Sequence, residues 1–155
     1  MNKLQRFAMR APIGLFRVGL GGLLARRFLL LEHVGRTSGQ LREAVLEILE
    51  TDEQGVPVIA SGFGLQAQWY KNVSVNSEIF YTRGRRRTAA TADRISHSDA
   101  VEVFRRYQKD HPRAARAIGK RLEVPLTDDP HVAAREIPLF QLSPRDSVSQ
   151  APVVA

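Results

Sequence analysis

Apolar residues in this chain fall into short runs separated by Gly, Asp and Ser, a pattern of strands and turns more than of long helices. Phe28 to Val34 and Arg42 to Thr51 read as strands, joined by the Gly-framed polar stretch Gly35-Arg36-Thr37-Ser38-Gly39-Gln40. Thr51-Asp52-Glu53-Gln54-Gly55 has the Asp and Gly content of a hairpin turn, and Val56 to Ser61 follows as a third strand. After Gly62-Phe63-Gly64, the spacing of Trp69, Val73 and Asn76 predicts a short helix. Glu78 to Arg83 and Arg85 to Ile95 form a hairpin that turns at Arg83-Gly84. Ser96 or Ser98 caps a helix running to Asp110, with Ala100, Val101, Val103, Phe104 and Tyr107 at helical spacing. Pro112 opens another helix, to about Leu122. Glu136 to Leu142 is apolar enough for a closing strand, and Ser143 to Ala155 reads as a loose tail. The strand meander is mainly antiparallel.

The amino-terminal stretch has a different period. If Asn2 to Ala25 is helical, Lys3, Arg6, Arg10 and Arg17 gather on one side and Leu4, Phe7, Ala11, Leu15 and Val18 on another. Pro12 can break this helix and rotate its halves apart. Packing of the apolar side on the domain is the expected outcome, and contact with an anionic membrane surface is the alternative. Val18 to Ala25, the longest early stretch without charge or proline, is far below the roughly 20 residues that span a bilayer. Arg17 and Arg26-Arg27 interrupt any secretory signal, so a cytoplasmic protein is expected, with peripheral membrane association left open.

At 155 residues, 43% apolar and 25% charged, the chain suits one folded domain. The division expected is an amino-terminal helix over 1–25, a body over 26–144 and a flexible tail over 145–155. The sequence has no cysteine, which excludes disulfides, thiol nucleophiles and Cys-based metal sites. His33, His97, His111 and His131 never pair at the spacing of ligands on one helix, so no metal is expected. The formal charge of +7, carried mostly by arginine, points to anionic partners: nucleic acid, a membrane surface or a polyanionic cofactor.

Charge becomes specific at the first interstrand loop. Residues 35–42 collect guanidiniums, hydroxyls and backbone N–H groups, the means of holding a phosphorylated ligand. Read alone, the same residues make an ordinary hairpin loop, Trp69 a core residue and Arg83 to Arg87 a solvated, charged tip. That tip is also a nucleic-acid footprint in outline, but only Phe80 and Tyr81 lie near it to stack on bases.

Four segments in order change this balance. Leu29-Leu30-Leu31 leading into Gly35-Arg36-Thr37-Ser38-Gly39-Gln40-Leu41-Arg42, then Ser61-Gly62, Trp69-Tyr70-Lys71-Asn72 and Ile137-Pro138-Leu139-Phe140-Gln141-Leu142-Ser143-Pro144 together resemble the deazaflavin (F420)-dependent nitroreductases. The resemblance runs from about Arg10 to Pro144. It implies an α+β fold, a split β-barrel of the FMN-binding, pyridoxamine-phosphate-oxidase-like type with an amino-terminal helix and inserted helices.

It further implies an oxidoreductase that transfers a hydride from reduced coenzyme F420 to a quinone, a nitro compound or an activated alkene. Carried over by position, Arg36, Thr37, Ser38 and Arg42 hold the phosphate and the glutamate tail, Ser61 and Gly62 approach the ring by backbone, and Trp69 and Asn72 shape the groove. Thr37 stands where many members have lysine, and no Lys or Pro lies in the segment between Ser61 and Trp69. Tyr107 and His111, four apart on one helix face, are the candidates for lining the acceptor pocket or donating a proton. Two alternatives stay open: the same fold carrying FMN, heme or another cofactor, and a basic nucleic-acid-binding module. A homodimer is compatible with the fold type.

Overall fold

The computed structural model describes residues 27–61, 64–113, 115–116 and 129–146. The expected amino-terminal helix, Gly62, the later part of the helix from Pro112 and residues 147–155 of the tail lie outside them. The elements with described bounds are six strands, β1 (Phe28–Val34), β2 (Leu41–Thr51), β3 (Pro57–Ala60), β4 (Glu78–Arg83), β5 (Arg86–Arg94) and β6 (Leu139–Pro144), and the α-helices α1 (Gln68–Val75) between β3 and β4, and α2 (His97–Asp110) and α3 (Pro130–Glu136) between β5 and β6. The strands close a barrel in the order β1-β2-β3-β6-β5-β4, antiparallel at every pairing. This is the split β-barrel architecture that the resemblance implies.

Alternation along β1 and β2 sorts side chains to the two faces of the wall. Leu29, Leu31, Leu46 and Ile48 point inward and join Ile59, Ile79, Tyr81, Phe140 and Leu142 in a core inside the barrel. Leu49, on the other face of β2, belongs to a second core with Val58, Val101, Phe104, Tyr107, Ile137 and Leu139, where α2 and α3 cover the outside. A register shift between Ile48 and Glu50 marks an irregularity in β2 at this change of side.

The registers fix which turns share an end. Val34 opposite Leu41 places the 35–40 loop at one end, together with Ala60 opposite Leu139 and the segment 64–67 that leads into α1. Arg83 opposite Arg86 and Thr51 opposite Pro57 place the β4–β5 and β2–β3 turns at the other. The first end is plugged by α1, whose Trp69 and Val73 enter the inner core, Trp69 edge-on to Phe140 at 5.7 Å.

Three sequence expectations change. Glu136 ends helix α3 instead of starting the closing strand, and that helix was not expected at all. Its signals are Asp129, whose carboxylate accepts from the His131 N–H at 2.8 Å, and Pro130 in the first turn. Ser143 and Pro144 belong to β6, opposite Thr91 and Ala90, and not to a loose tail. Proline is tolerated there because it is the last residue of the strand. No helix among the described residues is long and apolar enough to cross a membrane.

Candidate functional site

The loop between β1 and β2 is built by two hydrogen bonds across its neck. The Gly35 N–H donates to the Gln40 carbonyl at 2.8 Å and the Gly39 N–H to the Gly35 carbonyl at 2.8 Å. Gly39 adopts φ +64°, a left-handed conformation that suits glycine. At Gly35 the requirement is space: a β-carbon would lie 2.6 Å from the Ser38 hydroxyl. The Ser38 hydroxyl accepts from the Gln40 N–H at 3.3 Å, and Thr37 and Ser38 are both exposed. Their own N–H groups have no acceptor among the described residues, so they remain available to an anion.

Arg36 ties this loop to α1. Its backbone N–H and its Nη1 both donate to the Asn72 Oδ1, at 3.1 and 2.8 Å, and its Nη1 and Nη2 reach the Gln68 Oε1 at 3.2 Å. The three-residue spacing from Trp69 puts Asn72 on the same side of α1, so the indole that fills the barrel also fixes where the amide stands. Asn72 is buried. With its Oδ1 occupied by two donors, its Nδ2 faces the Nδ1 of His33 at 3.2 Å.

His33 is buried on the inward face of β1, opposite Arg42. Its burial, reinforced by the Arg42 charge, pushes it down to about 4, so the ring is neutral at physiological pH. Nδ1 then accepts from Asn72, which leaves the ring proton on Nε2. Neither His33 nor Gln68 was singled out in the sequence. His33 continues the inward alternation of Leu29 and Leu31 and meets Arg42 across the hairpin, so the period of β1 alone carries the signal.

Several cations at this end are held by neutral partners. Arg36 is held by two side-chain amides, Lys71 by the Gln66 Oε1 at 2.9 Å and Arg94 by the Tyr70 hydroxyl at 3.2 Å, whereas Arg42 has no hydrogen bond or ion pair among the described residues. None of the four is paired with a carboxylate among the described residues. By contrast, Arg27, Arg87, Arg105, Arg106 and Arg145 are each paired with a glutamate. A cation held by a neutral partner keeps its orientation and its net charge together, which suits a polyanion.

Of the expected site residues, Arg36, Thr37, Ser38, Arg42, Trp69 and Asn72 share this end. Ser61 lies here too, but is wholly buried. Its N–H donates to the Pro138 carbonyl at 3.1 Å, its carbonyl accepts from Gly64 at 2.8 Å, and its hydroxyl donates to the Gly64 carbonyl. Those bonds shape the turn into α1.

Tyr107 and His111 stand elsewhere. Their rings are 5.2 Å apart, but Tyr107 packs in the outer core and its hydroxyl donates to the Glu47 carboxylate at 3.1 Å. Burial, with Glu47 beside it, raises the phenol well above its ordinary value. Glu47 lies on the outward face of β2, five residues and about 17 Å of strand from Arg42.

Residues 14–127 match the model of a protein family described as F420H2-dependent quinone reductase. No curated protein matches the sequence. Among solved structures, a protein of unknown function from Agrobacterium tumefaciens strain C58 is 18% identical with a TM-score of 0.57, covering 81% of this chain, which spans 54% of that protein's length. An F420-H2 dependent reductase, FDR-A, is 22% identical with a TM-score of 0.55 over 76% of this chain and 95% of its own. A chain described as a domain-swapped dimer is 20% identical with a TM-score of 0.54 over 86% of this chain and all of its own, 100%. These likenesses concern the barrel.

Proposed function

Since the chain belongs to the F420H2-dependent quinone reductase family and is an oxidoreductase whose cofactor is coenzyme F420, we propose that the end of the barrel bearing the 35–40 loop holds that cofactor's anionic part and presents its ring to a quinone. The observation that carries this reading is the cluster of Arg36, Arg42, Lys71 and Arg94, none paired with a carboxylate among the described residues. A phosphodiester with glutamate carboxylates is the complement of such a cluster.

Arg36, already aimed by Asn72 and Gln68, offers its remaining guanidinium donors without having to be reoriented. Arg42 offers a fork that has no partner among the described residues, and the exposed Thr37 and Ser38 add hydroxyls and N–H groups. Orientation set in advance lowers the entropic cost of binding. When bound, reduced F420 supplies a hydride from its ring carbon and the accompanying proton, so that a quinone leaves as the hydroquinone. The protein's part is to hold donor and acceptor together and to keep water out.

For the acceptor, Leu41 and Leu65 supply exposed apolar surface, 57% and 42% accessible, on the two segments that border the loop and α1. They favour a flat apolar acceptor such as a quinone over a charged one. In this reading Tyr107 and its contact with Glu47 serve the packing of α2 on the barrel, and proton delivery does not depend on it.

Titration of the protein with F420, followed by the cofactor's fluorescence, tests the placement. Arg36→Ala and Arg42→Ala are each expected to weaken binding about tenfold or more, as loss of charge-assisted hydrogen bonds requires, while Arg105→Ala leaves it unchanged. Unaltered affinity in both loop variants would sink this placement.

A further inference from the structure

We propose that His33 is the positioning residue of this site: its neutral Nδ1 orients the Asn72 amide, and Asn72 in turn fixes the backbone N–H and guanidinium of Arg36 where an anion meets them. The inference rests on the reading above, that this end of the barrel receives the anionic part of F420.

The argument is one of counting donors and acceptors in a buried chain. Asn72 has one oxygen and one NH2 group. The oxygen takes both donors of Arg36, at 3.1 and 2.8 Å, and can do so only if the NH2 points the other way, towards His33 at 3.2 Å. His33 and Asn72 are both buried, at 3% and 6% exposure, so each depends mainly on the other and on Arg36 for its hydrogen bonds. With the ring proton on Nε2, a flipped amide would set its NH2 against the Arg36 donors and its oxygen against the Nδ1 lone pair, a costly arrangement. The Nε2-protonated tautomer of His33 and the two Arg36 donors therefore favour the same amide orientation, the one on which the Arg36 geometry depends.

Charge works in the same direction. Among the described residues the charge that acts on His33 is that of Arg42 from β2, and Arg36 from the loop lies one partner further, across the neutral amide that α1 presents at Asn72. A protonated imidazole would be a third cation and would lose the lone pair that Asn72 needs. A neutral ring keeps the amide oriented while the net positive charge stays on Arg36 and Arg42, where an anion can use it. Asparagine at position 33 has an oxygen at nearly the place of Nδ1, whereas leucine has none.

The test uses the full chain and two variants, His33→Asn and His33→Leu. Nitrogen NMR of the imidazole in the protein alone should show a neutral ring protonated at Nε2, and hydrogen exchange at the Arg36 amide should speed up about tenfold in His33→Leu and stay near wild type in His33→Asn. F420 affinity should fall about tenfold in His33→Leu and recover to within about threefold in His33→Asn. Combined with Arg36→Ala, His33→Leu should add little further loss, since both act on one element. A ring protonated at Nδ1, a folded His33→Leu protein with unchanged Arg36 exchange and F420 affinity, or fully additive losses in the double variant would each overturn the proposal. Wild-type protein that binds no F420 would overturn the placement of the cofactor instead, and the imidazole and amide readouts would still decide whether His33 orients Asn72 and Arg36.

Discussion

A buried histidine held neutral makes stability depend on acid. The folded chain takes up the His33 proton only near pH 4, whereas the unfolded chain does so near 6.5. Between these values the unfolded state binds more protons, so stability falls as pH drops from about 6.5 towards 4 and levels off below. The total is on the order of 3 kcal/mol. Urea unfolding at pH 7 and pH 4.5 should show a large part of this loss in wild type and a clearly smaller one in His33→Asn. The residue was legible in principle, because alternation from Leu29 through Leu31 assigns it to the barrel interior. Its role was not, because the sequence does not reveal that Asn72, far along the chain, would end beside it. Motif and order picked out Arg36, Arg42, Asn72 and Ser61, and the fold brings all four to one end of the barrel, where the polar groups of Ser61 are bonded to Pro138 and Gly64.

Among the elements, the strands and α2 follow from local pattern. The three hairpins carry their turn residues, and Ser96 caps α2 by accepting from the Asp99 N–H at 3.2 Å. Helix α3 has little more than its Asp-Pro start to announce it, and a seven-residue helix gives too few turns for a period to stand out. The placement of α2 could not be read locally, because its apolar stripe fits the outside of the barrel as well as a pocket rim. Tyr107 secures that placement through Glu47, which Arg27 also engages at 2.8 Å. Tyr107→Phe is expected to lower stability by about 1.5–3 kcal/mol, the worth of a hydrogen bond to a charged acceptor, with F420 affinity unchanged. Thermal unfolding and fluorescence titration check the two halves of that expectation, and a selective loss of turnover would instead restore Tyr107 to the reaction.

For the whole molecule, an excess of arginine says that an anion is wanted somewhere, and only the fold says where. Ion pairs neutralise Arg27, Arg87, Arg106 and Arg145 along the wall, while the end with the 35–40 loop keeps Arg36, Arg42, Lys71 and Arg94 without carboxylates among the described residues. Binding that relies on this cluster should weaken with ionic strength. Raising salt from about 50 to about 500 mM, where the screening length shrinks several-fold, should cost wild type more F420 affinity than it costs Arg42→Ala; equal losses would argue that the cluster is not what attracts the cofactor. The barrel itself was legible as a set of strands but not as an order of strands, since pairing between distant segments leaves no mark on local periodicity. The strand order has one more consequence, which concerns biosynthesis. β6 is the last strand made among the described residues, yet it lies between β3 and β5, so until residue 144 has left the ribosome two mates face each other across a missing stave. A nascent chain therefore carries a pair of sticky margins from the completion of β5 to that of β6, and early termination before that stave should yield clumping polypeptide, never a smaller working version of the enzyme.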